Sequence, residues 1–514
     1  MKDVRTSRIS IWSATSLLLR HRYLALCIVL GTAMLLQTVY GEWLGDFWEH
    51  CAVVRELMAN PESPGHPLFA VDAGHPFFSP YHLAVALLAR LLSLDARTAL
   101  ALAGMVNLAI LLAGFRLFAN AFFPRRSDAV SFYGLLLILL AWGSEVWNWS
   151  GFIHFRALGY VLPYPSTLAL GLTWGLLAWL SRSDWMLRAT RCLVTGLLCA
   201  LAAGVILLAH PSTAAFTLLG IGAVSLTQPS EHRIRAVLLG GAIVTGAFLV
   251  AVAWPYYSFL GLLAEADRDF HQDSLTLYRD VLVTWPALVL APAAAIAWAR
   301  PAPGDRIGAI VLLLLALVLL YGLGYLLGAY GFGRLISPIV MLLQLSAAAA
   351  AARIEVKGCR PVALLPAAAI ALLVVGLAPT AGNSQALHKI TAATRGQRTD
   401  YSSYLRVGEQ VPPDAVMIAD LRTSWELPSF AGKVVASLHP AHWVPDHYQR
   451  RNDLVRFFSP RTSTADRQAL IDRYNARFVL LHVDRQPDPT AYLELGEVVL
   501  SAGPFLLIQT VTSG

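Results

Sequence analysis

The most constraining feature of this sequence is a recurrence of apolar stretches, each near bilayer-crossing length, from Tyr23 to Thr380. A helix crosses a bilayer core in roughly 20 consecutive apolar residues. After Ala381 the recurrence stops and a different composition takes over. The whole chain agrees with the pattern: 56% of its 514 residues are hydrophobic and 14% charged, against about 25% charged in a soluble globular chain. The first stretch is not a cleavable signal, because it lacks a small-residue cleavage site and many more apolar stretches follow it.

The pattern predicts a polytopic α-helical membrane protein of about 11 or more spans with a small C-terminal α/β domain. Spans are expected at 23–40, 98–120, 130–148, 164–181, 192–209, 212–227, 236–256, 281–299, 307–327, 335–352 and 361–380. The net charge of +7 does not point to nucleic acid, since Lys and Arg sit in short clusters between apolar stretches. Such clusters orient a chain by the positive-inside rule. Lys2, Arg5, Arg8, Arg20 and Arg22 place the N-terminus in the cytoplasm. Arg116, Arg125 and Arg126, then Arg182, Arg188 and Arg191, Arg233 and Arg235, Arg300 and Arg306, and Arg353, Lys357 and Arg360 then fall on that same side. Every other connection, and the C-terminal domain, falls outside. The apolar segment 80–94 is short, and counting it as a span would put Arg125 and Arg126 on the wrong side. It is expected to be re-entrant or to lie in the interface.

Two domains follow from this division: residues 1–382 in the membrane, with a first outer loop at 41–79, and residues 383–514 outside it. In the second, short β-like runs at Val416–Asp420, Lys433–Leu438, Arg477–Asp484, Glu497–Leu500 and Phe505–Thr512 surround a helix pattern at Thr464–Ala476. Ser463 or Thr464 is its expected N-cap. Three of the five cysteines, Cys27, Cys192 and Cys199, lie in apolar stretches, and no CxxC pair or zinc-ligand spacing occurs. No cofactor and no metal ligand set is expected; the role of a divalent cation is open at this stage.

Titratable residues gather in the outer connections, which marks that face as the site. The first loop holds Asp46, Glu49, His50, Asp72 and His75; the connection 147–163 holds His154 and Arg156; His271 and Arg334 lie in later ones. In Gly45-Asp46-Phe47-Trp48-Glu49-His50 the spacing puts Asp46, Glu49 and His50 on one face of a helix. Trp43, Phe47 and Trp48 suit the membrane–water interface. A carboxylate there is well placed to act as base between a lipid-borne group and a water-borne hydroxyl. Asp is also a common helix cap, and the residues alone leave base and cap open. His210, in a His-Pro turn, reads as a satisfied interface histidine, and His439, His442 and His447 around Trp443 and Tyr448 as a surface loop with a mix suited to sugar stacking.

The opening stretch resembles the GT-C superfamily of glycosyltransferases, which includes aminoarabinose, protein O-mannosyl and arabinofuranosyl transferases. The resemblance rests on Asp46, the helix 46–60 and Gly74-His75-Pro76-Phe77-Phe78-Ser79-Pro80-Tyr81. It covers the N-terminal quarter by motif and the remainder by architecture. The acidic pair departs from the superfamily's adjacent or once-spaced pair, being Asp-x-x-Glu, which puts Glu49 in question more than Asp46.

The resemblance implies inverting transfer of a sugar from a polyprenyl-phosphate donor to a glycan, lipid or protein acceptor at the outer face of a bacterial inner membrane. Asp46, with Glu49, would be catalytic, and Asp46 would accept the acceptor's proton. His50, Asp72 and His75 would help to shape the substrate site. The departing phosphate needs donors, for which Arg156 and Arg334 are candidates in one cavity with Asp46, helped by His154 and His271. Arg268 lies between Asp267 and Asp269, which would satisfy it. Membrane lipids are the other expected partner, and nucleic acid is not one. The alternative is a transporter or flippase of lipid-linked glycans or small molecules. It ranks second, because charges sit at span ends and no repeat of halves is visible.

Overall fold

The computed structural model describes residues 21–40, 43, 45–142, 147, 149–182, 189–264, 269–280, 286–299, 301–356, 401–438, 441, 444, 446–486 and 488–511. The span expected at 361–380, the domain boundary at 382/383, Arg268, His439, His442, Trp443 and the side chain of His271 lie outside them. The described chain forms two compact units, one of Met1–Gly41, Gly104–Ala253 and Ala266–Gln397, the other of Glu42–Ala103, Trp254–Glu265 and Arg398–Gly514.

Among the described residues six helices are long and apolar enough to cross a membrane: Arg22–Val39, Ala96–Phe122, Thr190–Ala209, Ser230–Val252, Ile307–Leu326 and Tyr330–Arg353. A seventh crossing would be Phe155–Val161 with Pro165–Ser181, bent by 111° at the break. The six and Pro165–Ser181 each lie on an expected span, whereas Phe155–Val161 falls in the connection expected at 147–163. Ser127–Leu140, Pro211–Leu226 and Leu290–Ala299 are apolar but shorter. Pro80–Leu92 is a helix of 13 residues; at 1.5 Å per residue it reaches about 20 Å, short of a hydrocarbon core of about 30 Å.

In the first unit the helix ending at Arg353 is central and almost wholly buried, whereas Ser230–Val252 is mostly exposed. Its run Ala347–Ala352 explains how: small side chains let Pro286–Ala299 and Ser127–Leu140 pack alongside at close range. Gly114 and Gly171 do the same between two other helices, where a Cβ on Gly114 would come within 2.1 Å of the Gly171 carbonyl. The break after Val161 leaves carbonyls without helical partners. Asn107, buried, donates from Nδ2 to Leu162 O at 3.0 Å and Tyr164 O at 3.4 Å.

Polar contacts sort the connections of this unit into two sets. Asp128 meets Arg22 at 3.5 Å and Arg116 at 3.4 Å. Arg126 forms a buried ion pair with Asp305 and donates to Ala349 O, and Gln228 donates to Leu180 O. In the other set Ser337 donates to Gly151 O at 2.7 Å, and the Arg334 guanidinium lies 5.1 Å over the Trp149 ring. Ser150 Oγ is 3.4 Å from His210 Nε2. Arg22, Arg116 and Arg126 thus each meet an acidic residue, Asp128 or Asp305.

The second unit is built on a five-stranded sheet of order β2-β1-β3-β5-β4, with β1 Val416–Ala419, β2 Lys433–Val434, β3 Ala476–His482, β4 Gly496–Ala502 and β5 Phe505–Thr510. β1 runs parallel to β2 and β3, and β5 is antiparallel to β3 and β4. Period-two alternation divides the strand residues between two cores. Val416, Ile418, Val479 and Leu481 face Leu454 and Phe457 of the helix His447–Phe457 and Leu470 and Ile471 of Thr464–Tyr474. Ser463 caps the latter by accepting from Asp466 N, and Asn475 closes it in the left-handed region.

Met417, Ala419, Phe478 and Leu480 face the opposite way, and there the sheet packs on Ala52, Leu68 and Phe69 of the first long connection. Burying Leu68 and Phe69 is worth about 1.5–3 kcal/mol each. Val434 N donates to Leu68 O at 2.8 Å, so this connection also covers the β2 edge. The first loop and the C-terminal sheet therefore share one unit, a grouping that the division at 382/383 does not convey.

Candidate active site

Gly45 turns the chain into the helix Phe47–Ala59 at φ +64°, a region that glycine enters without a Cβ penalty. Asp46 takes the N-cap position, yet its side chain makes no capping hydrogen bond to the first turn. It stays partly exposed, while the next four residues, Phe47 to His50, are buried. The carboxylate is thus held at the start of the helix, where the backbone dipole favours negative charge, without being spent on a cap.

Three positions on, Glu49 is 5% exposed and its Oε1 lies 3.2 Å from Nε2 of the fully buried His75. Burial pushes His75 down to about 3. The neutral ring accepts the Phe77 amide at Nδ1, which leaves the proton on Nε2, towards Glu49. His66 is held in the same way. Its Nδ1 accepts the amides of Leu68 and Phe69, and burial, reinforced by His75 and Lys433, pushes it down to about 2.

His50 continues the polar chain: its Nδ1 is 2.9 Å from His82 Nε2, and His82 Nδ1 is 2.9 Å from Ser79 Oγ. His50 also stacks on Phe77 at 4.6 Å. The stretch from Gly74 to His82 is thereby fastened to the Phe47–Ala59 helix through three histidines and a carboxylate. Trp254 Nε1 donates to Phe78 O, fixing the same stretch from another side. Among the described residues no group of three or more His, Cys, Asp or Glu side chains converges as a metal site.

The backbone around Asp46 is held from the C-terminal part of the unit. Trp425 Nε1 donates to Gly45 O at 2.7 Å, Ser429 Oγ to Trp48 O at 2.7 Å, and Trp43 N to the Tyr401 hydroxyl at 3.3 Å. The rings of Trp48, Tyr401 and Phe430 pack together at 5.3–5.9 Å, and Arg97 lies 4.9 Å over Tyr401.

The fold brings together Asp46, Glu49, His50 and His75. Asp72 belongs to the same unit and is exposed. His154, Arg156 and Arg334 belong to the other. There His154 is committed to the backbone: Nδ1 accepts Ala157 N, capping the helix Phe155–Val161, and Nε2 donates to Trp147 O. Burial, with Arg156 adding, pushes it down to about 4. Arg156 is partly exposed, with no hydrogen bond or ion pair to a described residue. His210 caps the helix Pro211–Leu226 through Thr213 N, in keeping with a satisfied interface histidine.

Sequence reasoning placed His66 and Ser79 in the first loop without giving them a role, and passed over His82 and every residue that the C-terminal sheet domain contributes to this site. A histidine within an otherwise apolar run was the available signal for His82; Trp425 and Ser429 carried none.

No family model matches the chain, and neither does any curated protein. Solved structures do. ArnT from Cupriavidus metallidurans, bound to undecaprenyl phosphate, superposes with a TM-score of 0.54 at 14% identity over 96% of this chain and 98% of that one. The Archaeoglobus fulgidus oligosaccharyltransferase superposes with a TM-score of 0.51 in the apo form, at 11% identity over 90% of this chain and 70% of that one. Tethered to an acceptor peptide it gives 0.52 at 12% identity, over 91% and 70%. The fold is that of the GT-C glycosyltransferases. With several helices of membrane-crossing length among the described residues, the chain is an integral membrane protein that shares this fold.

Proposed function

We propose that this chain is a membrane glycosyltransferase that moves a sugar from a polyprenyl-phosphate donor to a hydroxyl of a glycan, lipid or protein acceptor, with inversion and with Asp46 as general base. The observation that carries the reading is the state of Asp46 within a GT-C fold: a carboxylate at a helix start, partly exposed and not used as a cap. The acceptor oxygen attacks the anomeric carbon as Asp46 takes its proton. The bond from that carbon to the phosphate oxygen breaks, and its electron pair leaves on the polyprenyl phosphate. Attack from the face opposite the leaving group inverts the centre.

That ArnT binds undecaprenyl phosphate supports the donor class, and the acceptor peptide on the oligosaccharyltransferase keeps protein among the acceptors. Arg334 and Arg156 are assigned to the leaving phosphate by their chemistry, since a guanidinium fork matches phosphate oxygens. Glu49 is assigned to holding His75, rather than to the reaction. The membrane is a bacterial inner membrane, the N-terminus cytoplasmic and the sheet domain on the outer side, as the Arg-rich connections in the sequence favour.

Purified protein given a panel of undecaprenyl-phosphate-linked pentoses and hexoses, with membrane glycolipid as acceptor, is expected to release undecaprenyl phosphate. Asp46→Asn is expected to lower turnover about 10²–10⁴-fold, the usual share of a positioned base. Asn serves nearly as well as Asp in a cap, so near wild-type turnover would remove Asp46 from catalysis.

A further inference from the structure

Asp46 lies between two backbone carbonyls whose side-chain donors come from one short segment of the C-terminal sheet domain. Trp425 donates to Gly45 O on one side of it, and Ser429 to Trp48 O on the other, each at 2.7 Å. Gly45 is the residue whose left-handed backbone aims the chain into the helix, and its carbonyl also accepts Trp48 N at 3.3 Å. The Asp46 side chain, by contrast, takes no hold on the first turn. The backbone that carries the carboxylate is thus held at Gly45 and at Trp48. Their hydrogen bonds lead to residues about 380 positions away, at separations of 380 and 381.

Both donors are well supported. Trp425 sits on the turn of helix Thr423–Glu426, whose start is tied down by Asp420 through Thr423 N and Thr423 Oγ1. Ser429 closes the three-residue turn Leu427–Ser429 beside Phe430, and that ring packs on Trp48 and Tyr401. Leu427 and Ala431, on either side, are buried in the core shared with Ala52 and Leu68.

We infer that Trp425 and Ser429 are positioning residues for the Asp46 carboxylate, so that the C-terminal domain serves the chemical step and not the capture of the lipid donor. The inference rests on Asp46 being the base. A misplacement of about 1 Å costs on the order of 10²-fold in rate when a reacting group must be held in line. Losing one or both anchors removes that alignment and leaves the arginines assigned to the phosphate untouched.

The test uses the full-length protein and the undecaprenyl-phosphate-sugar assay, with Trp425→Phe, Ser429→Ala, the double variant and Ser429→Thr. Trp425→Phe keeps a ring in place and removes only the N–H. The double variant is expected to lose about 10–100-fold in kcat with the KM for the lipid donor unchanged, and Ser429→Thr, which keeps the hydroxyl, is expected to retain wild-type kcat. Unchanged kcat, or a loss matched by an equal loss of folded protein in thermal unfolding, overturns the inference. Amide hydrogen exchange at residues 48–50 gives a readout that needs no turnover. It is expected to speed up at least tenfold in the double variant and not in Ser429→Thr; unchanged exchange overturns the inference as well. Asp46→Asn run in parallel separates the two claims, because its full activity removes the base while faster exchange at 48–50 still shows the anchoring.

Discussion

Lys433 Nζ lies 2.6 Å from Glu56 Oε2 and 2.7 Å from His66 O, across 377 and 367 positions of sequence. Next to it Arg55 donates to Gly432 O at 2.9 Å. Burial lowers the Lys433 ammonium from its usual range, and Glu56 opposes that shift. The pair thus fastens the helix that starts at Asp46 to the edge of the sheet at its far end, as Trp425 and Ser429 do at its near end.

Removing one partner leaves the other charge part-buried and uncompensated. Lys433→Met is expected to destabilise the second unit by about 2 kcal/mol, below the 3–5 kcal/mol of a wholly buried pair because Glu56 retains some solvent. Thermal unfolding in detergent measures it. The double variant Lys433→Met with Glu56→Gln is expected to recover part of the loss; no difference between single and double would show that the two side chains are not coupled.

Stability of the same unit is expected to fall with acid, and the sign follows from the histidines. His66 at about 2 and His75 at about 3 stay neutral when folded, whereas in the unfolded chain they take protons below about 6.5. The unfolded state therefore binds more protons between these limits, so stability is complete above about 6.5 and declines as pH falls towards 3. A lower unfolding midpoint at pH 5 than at pH 7.5 is expected. Equal midpoints would show that the two rings can be protonated in place.

At the break after Val161, Asn107→Ala removes the donor for Leu162 O and the longer of two hydrogen bonds to Tyr164 O, which keeps Thr167 N. The cost of a buried acceptor left unsatisfied is about 1–3 kcal/mol. A drop in the unfolding midpoint of the helical unit, smaller for Asn107→Asp at low pH where the carboxylic acid again donates, is the expected result.

For the phosphate, Arg334→Ala is expected to lower kcat/KM for the lipid donor about 10–100-fold, the worth of one or two charge-assisted hydrogen bonds. Arg334→Lys is expected to restore part of it, as a point charge without the fork. Unaltered donor kinetics in both would free Arg334 to serve only its stack on Trp149.

Topology is checked by fusions: alkaline phosphatase joined after Gly514 is expected to be active in cells, and a cytoplasmic fluorescent reporter there dark. The reverse result would put Asp46 on the side that the positive-inside rule assigns to the cytoplasm.

The helical part was legible because a bilayer-length apolar run is a local property, readable without knowledge of its neighbours. The arginines Arg22, Arg116 and Arg126 stood out in the sequence as an orienting cluster; what it did not show is that Asp128 and Asp305 meet them. The helix His447–Phe457 escaped notice because arginines and other polar residues dominate it and few of its side chains, Leu454 and Phe457 among them, reach the core. Spacing put Asp46 and Glu49 on one helix face, and burial separates the half-open carboxylate from the one set against His75. Anchoring by Trp425, Ser429 and Lys433 was out of reach, because local pattern carries no information about partners some 380 residues distant.

The seam between Leu68 and β2 has a consequence for how the protein is made. Val434 is synthesised 366 residues after the Leu68 carbonyl it binds, an interval of about 20–70 s at 5–20 residues per second. Through that interval the nascent loop carries its acidic residue without the template that shapes it. Activity would therefore appear as a late step of biogenesis, after the membrane helices have been inserted, and a ribosome that stalls before residue 425 would leave behind an inserted but inert chain.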